Sequence, residues 1–84
     1  MKIEVSKSLV YHDRNDQEAT QPTVSSQWTV EAKSLQKVAL ALWQEHRENK
    51  WENPSITDFG GWYAVRSYDA KTKTIICHDI TKGK

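Results

Sequence analysis

The chain is poor in most of the features that make an activity easy to read. Its 84 residues include one cysteine, two prolines and three glycines, and apolar residues make up only 37%. The lone Cys77 cannot close a disulfide within the chain, so a reducing, cytoplasmic setting is expected. No stretch approaches the ~20 apolar residues of a membrane span. The first residues, MKIEVSKSLVYHD, alternate polar and apolar side chains, as a strand does and a signal peptide or anchor does not. A net charge of +1 leaves no global field to draw in nucleic acid or a membrane surface. The pair Gly60-Gly61 lacks the strand–loop–helix context of a phosphate cradle and reads as a turn. There is no internal repeat, low-complexity tract or second domain: residues 1–84 form one domain.

Against these shortages stand four tryptophans and one strongly patterned segment. In SLQKVALALWQEHRENK (34–50), Leu35, Val38, Ala39, Leu42, Trp43 and His46 recur at the spacing of one helical face. Ser34 suits the N-cap, His46, Arg47 and Lys50 suit the negative end of the helix dipole, and Pro54 stops the helix. Before it, Ile3, Val5, Leu9 and Tyr11 share a parity broken by Lys7, which predicts a half-buried strand kinked or bulged there. Residues 13–22 predict a surface loop. Thr23–Ala32 predict a second strand, with Val24, Trp28, Val30 and Ala32 facing one way, paired antiparallel with the first. After the helix a short strand is expected around Ile56–Phe59. A hairpin of Trp62–Tyr68 and Thr74–Ile80 then completes a small α+β domain, one helix on a four- to five-stranded, mainly antiparallel sheet.

The hairpin turn Tyr68-Asp69-Ala70-Lys71-Thr72-Lys73-Thr74 resembles the second-hairpin turn of the immunoglobulin-binding domain of streptococcal protein G. That resemblance covers seven residues. It implies Lys73 near the left-handed region and Tyr68 opposite Ile75, and nothing about antibody binding. In that register one face carries Trp62, Ala64, Arg66, Tyr68, Ile75, Cys77 and Asp79. The other carries Tyr63, Val65, Ser67, Ile76, His78 and Ile80. The second is expected to meet the helix, because the first would bury the charges of Arg66 and Asp79. The likeness to protein G would instead put Tyr68, Ile75 and Cys77 inside.

Catalytic and metal chemistry find little support in the residues. Cys77 and His78 are adjacent on a strand and point to opposite faces, so they form no nucleophile–base pair. His12, His46, Cys77 and His78 lack zinc-ligand spacing, so neither metal nor cofactor is expected. His46 and His78 can approach each other, as two edge-of-core histidines with hydrogen-bond partners. Asp58-Phe59-Gly60 matches a kinase triplet in a chain far too short for a kinase. The reading is non-enzymatic.

The stronger signal is Trp62, Arg66 and Tyr68 at period two, residue types enriched at binding hot spots. With Ile75, Lys71 and Lys73 they form the candidate partner-binding surface. The expected function is docking on a larger protein as a regulator or inhibitor. In kind, though without any shared motif, the chain resembles the small proteins that phages and mobile elements direct against host or defence machinery, anti-CRISPR proteins among them. The alternative is a single-stranded nucleic-acid-binding module. Bases would stack on Trp62 and Tyr68, and phosphates would meet Arg66, Lys71, Lys73 and Lys82 of the mildly basic C-terminal segment. A third arrangement buries the same hairpin face in a homodimer.

Overall fold

The computed structural model describes residues 1–12 and 23–83, with Val24 described through its backbone alone. The expected surface loop at 13–22 lies outside the described residues. Five strands and one helix follow in the order β1 (Lys2–Tyr11), β2 (Thr23–Glu31), α1 (Leu35–Glu48), β3 (Glu52–Asp58), β4 (Tyr63–Asp69) and β5 (Thr74–Lys82). All pairings are antiparallel, in the order β2-β1-β5-β4-β3, so the first and last strands meet at the centre of the sheet.

The helix behaves as its sequence requires. Ser34 is extended, and its hydroxyl accepts from the Lys37 N–H at 3.2 Å. At the other end Lys50 takes a positive φ of 58°, the left-handed turn that usually falls to glycine. Its N–H then reaches the Arg47 carbonyl and the Trp51 N–H reaches the His46 carbonyl, satisfying two otherwise free helix-end acceptors. This reversal swings Trp51 back so that its ring meets His46 edge-on at 5.0 Å. Trp43, on the same helix, is half-buried and donates from its indole N–H to the Pro54 carbonyl at 3.3 Å.

Packing decides which sheet face is inside. Ile3, Val5, Ala39, Leu42, Val65 and Ile80 form the buried cluster, with Tyr63, Ile56 and Val30 packed around it. The face of Tyr63, Val65, Ser67, Ile76, His78 and Ile80 therefore meets the helix, as the cost of burying Arg66 and Asp79 requires. The helix lies over β3, β4 and β5. A groove of about 320 Å³ runs between its flank, at Val38 and Ala41, and the β2 side chains Trp28 and Val30.

Three local expectations change. The irregularity at Lys7 is present, but the extra residue stands on the partner strand: Lys7 pairs with Ser26 and Ser8 with Val24, leaving Ser25 unpaired in between. The Ser25 hydroxyl returns to the Lys7 carbonyl at 3.2 Å, occupying the gap. The strand expected at Ile56–Phe59 begins at Glu52, because Asn53 with φ 54° absorbs a bulge that lets Pro54 sit on a sheet edge. The second strand ends at Glu31, one residue early. The β4–β5 turn has the expected form, with Lys73 at φ 53° and Tyr68 opposite Ile75.

Candidate functional site

Two groups of chemistry-bearing side chains emerge, on opposite faces of β4 and β5. On the face away from the helix, β3 and β4 are joined by Gly60 and Gly61, with the Phe59 N–H donating to the Trp62 carbonyl at 2.9 Å. Gly60 has φ 90°, a conformation L side chains rarely adopt, and its N–H is held by the Asp58 carboxylate at 2.8 Å. So tight a reversal sets the two flanking aromatics against each other. The Phe59 and Trp62 rings stack at 4.3 Å with planes 14° apart, and the Arg66 guanidinium lies 5.9 Å from the Phe59 ring. Phe59 is 45% exposed, Arg66 is exposed and Trp62 is half-buried, so the group reaches the surface through Phe59 and Arg66.

The remaining expected binding residues divide along the strand. Tyr68 and Ile75 are a half-buried cross-strand pair, and the Tyr68 hydroxyl donates to the His12 carbonyl at 2.8 Å, which anchors it. Lys71 and Lys73 are exposed on the turn beyond. Trp62 and Arg66 therefore belong to one cluster, while Tyr68, Ile75 and the lysines lie toward the other end of the hairpin. Between them Cys77 is buried, its thiol donating to the Asp79 carboxylate at 3.4 Å. Burial pushes the Cys77 thiol up, and the hydrogen bond from Arg66 only partly opposes this. A reactive thiolate is not favoured there.

The second group is on the helix side. Ser67 and His78 are diagonal neighbours on β4 and β5, and His46 descends on them from the last turn of α1. His46 Nδ1 lies 2.6 Å from the Ser67 hydroxyl, and His46 Nε2 lies 2.7 Å from His78 Nδ1. A neutral imidazole offers one donor and one acceptor, so the chain runs one of two ways. Either His78 donates to His46 and His46 to Ser67, or Ser67 donates to His46 and His46 to His78. Both satisfy every nitrogen involved. The Trp28 ring meets His78 edge-on at 5.9 Å, and the Lys7 ammonium lies 5.9 Å from the Trp51 ring centre.

Electrostatics hold this chain neutral. His46 is lowered to about 4 by burial and then by the Lys7 charge. His78 is lowered to about 4 by burial, then by His46 and Lys7. The Ser67–His46 spacing is that of a nucleophile and its base. Here Ser67 is 5% and His46 0% exposed, which leaves no room for a substrate beside the hydroxyl. What the arrangement does is fasten the end of the helix to the middle of the sheet. Phe59 and Ser67 carry no mark in the sequence as participants. The only signal for Phe59 is an aromatic on either side of Gly-Gly.

Among the described residues, no group of three or more His, Cys, Asp or Glu is placed to hold a metal ion. No helix of the described residues is long and apolar enough to cross a membrane. No family model, curated protein or solved structure matches the chain.

Proposed function

We propose that this domain works by docking on a larger protein through the sheet face opposite its helix, with Phe59, Trp62 and Arg66 as the anchor. The observation that carries the reading is the stacked Phe59–Trp62 pair, which reaches the surface through Phe59, with a guanidinium beside it. Aromatic and arginine side chains of this kind supply large contact area and directed charge, and they dominate alanine scans of protein interfaces. Arg66 is exposed and carries its charge beside the aromatic pair, where a partner's carboxylate can reach it. The fitting surface is an apolar recess with a carboxylate at its margin, and the consequence of occupancy is regulation or inhibition of that protein. Tyr68, Ile75, Lys71 and Lys73 extend the contact along the hairpin.

The test is retention of a protein partner on the immobilised chain, followed by calorimetry. Trp62→Ala and Arg66→Ala should each weaken binding by about 2 kcal/mol or more, roughly thirtyfold. Glu45→Ala and Glu48→Ala on the helix should stay within about twofold. Circular dichroism on each variant guards against unfolding. Binding that survives both hairpin substitutions overturns the assignment. Steeply salt-dependent binding to a single-stranded oligonucleotide would move it to the nucleic-acid reading.

A further inference from the structure

The two edges of the sheet differ in how they are closed. β3 is blocked: Pro54 has no N–H to offer, Asn53 is turned out of strand conformation at φ 54°, and the pairing is irregular between Glu52 and Ser55. β2, TVSSQWTVE, contains no proline, glycine or basic residue, and its single charge is Glu31 at the end. Natural edges are commonly protected by proline, lysine or a bulge, and the bulge of β2 at Ser25 lies outside residues 27–31. Among the described residues nothing pairs with the outer side of β2.

The direction of its hydrogen bonds follows from one pair. Met1 and Ala32 exchange both bonds: the Ala32 N–H donates to the Met1 carbonyl at 3.2 Å, and the Met1 amino group donates to the Ala32 carbonyl at 2.8 Å. Alternation in an antiparallel ladder then turns Val30 and Trp28 toward β1, and turns the N–H and C=O groups of Gln27, Thr29 and Glu31 outward. Among the described residues these three present an unpaired ladder along an exposed edge.

We propose that this edge pairs antiparallel with the same edge of a second copy of the chain, about a two-fold axis at Thr29. The axis is placed on one of these three outward-turned residues, where the two copies exchange a closed hydrogen-bonded pair, and two of the three are disfavoured. An axis at Gln27 would bring the bulged Ser25 against Thr29 of the second copy, and an axis at Glu31 would set two carboxylates face to face. An axis at Thr29 pairs Thr29 with itself and Gln27 with Glu31. On the helix-side face it sets Trp28, 37% exposed, across from Val30 of the second copy, an aromatic–β-branched pair. Every contact is then made twice, as a two-fold interface demands. The two sheets join into one, and this surface is separate from Phe59, Trp62 and Arg66, so the inference does not rest on the docking reading.

The experiment is sedimentation equilibrium of the full chain over about 10 µM to 1 mM, a range that brackets weak and moderate self-association. The wild type should reach the mass of two chains. Thr29→Lys and Thr29→Glu, each placing like charges at the axis, should each raise the dimer Kd about tenfold or more, and mixing the two should restore association. Amide exchange gives a second measurement independent of any variant. The N–H groups of Gln27, Thr29 and Glu31 should gain protection as the wild-type concentration rises. A wild type that stays monomeric throughout overturns the proposal. So does a dimer in which those three amides exchange freely.

Discussion

The two faces of the β4–β5 hairpin are made from alternate residues of the same two strands, and they treat polar groups in opposite ways. Toward the helix, Ser67 and His78 are sealed in and linked through His46, with no charge on any of them near neutral pH. Away from it, Arg66 keeps its charge at the surface beside two stacked aromatics. Residues one apart in sequence, Arg66 and Ser67, thus sit in unlike media. The difference shows that the strand only assigns a side. What lies over that side decides whether a polar group is neutralised and satisfied or left for a partner.

That contrast can be broken most sharply at His46. His46→Ala removes a fully buried ring and strands both the Ser67 hydroxyl and His78 Nδ1. The expected loss is about 3–5 kcal/mol in urea or thermal unfolding, a large share of the stability of a small domain. Arg66→Ala, next to Ser67 but on the other face of β4, should change stability by less than about 0.5 kcal/mol. Equal losses would mean that both faces are load-sharing core.

Acid provides the next test. The two histidines titrate near 4 in the folded protein and near 6.5 when unfolded, so the unfolded chain takes up protons first as pH falls. Their contribution is fully present above about pH 6.5 and is lost progressively as pH drops toward 4. The first proton alone is worth about 3 kcal/mol, at 1.36 kcal/mol per unit. His78→Asn keeps an acceptor or donor in the Nδ1 position but cannot be protonated, so its unfolding free energy should fall less steeply between pH 6.5 and 4. A slope identical to that of the wild type would show that other groups carry the acid sensitivity.

Ser67→Ala is a milder probe of the same chain. It removes one partner of His46 without opening a large cavity, and should cost about 1–2 kcal/mol. Cys77→Ser, on the far side, should cost still less, about 1 kcal/mol or below, and should leave partner binding intact. A larger effect from Cys77→Ser than from Ser67→Ala would invert the ordering of the two faces.

Much of this arrangement was legible in the sequence because it rests on short-range rules. The helix, its Ser34 cap and the choice of inner hairpin face follow from periodicity, capping and the cost of buried charge, while the form of the 69–74 turn came from its resemblance to the protein G hairpin turn. The approach of His46 to His78 was legible too, since both lie on apolar faces that must meet. Ser67 as the third member was not, because its role depends on where along the sheet the helix ends. The start of β3 was hidden by Asn53-Pro54, which reads as a break until the bulge is seen. Phe59 was hidden for a different reason: its stacking is produced by a two-residue reversal whose geometry no periodicity announces.

Two of the four indoles, Trp51 and Trp28, stand edge-on to His46 and His78 at 5.0 and 5.9 Å. An imidazolium draws electron density from an excited indole and dims its emission, whereas a neutral imidazole does so far less. The molecule therefore carries its own optical gauge of whether the interior has been charged. An acid titration followed by intrinsic fluorescence should show quenching that tracks histidine protonation, and the step should shrink in His78→Asn. Emission that changes only together with the loss of secondary structure would mean that the rings report unfolding and nothing earlier.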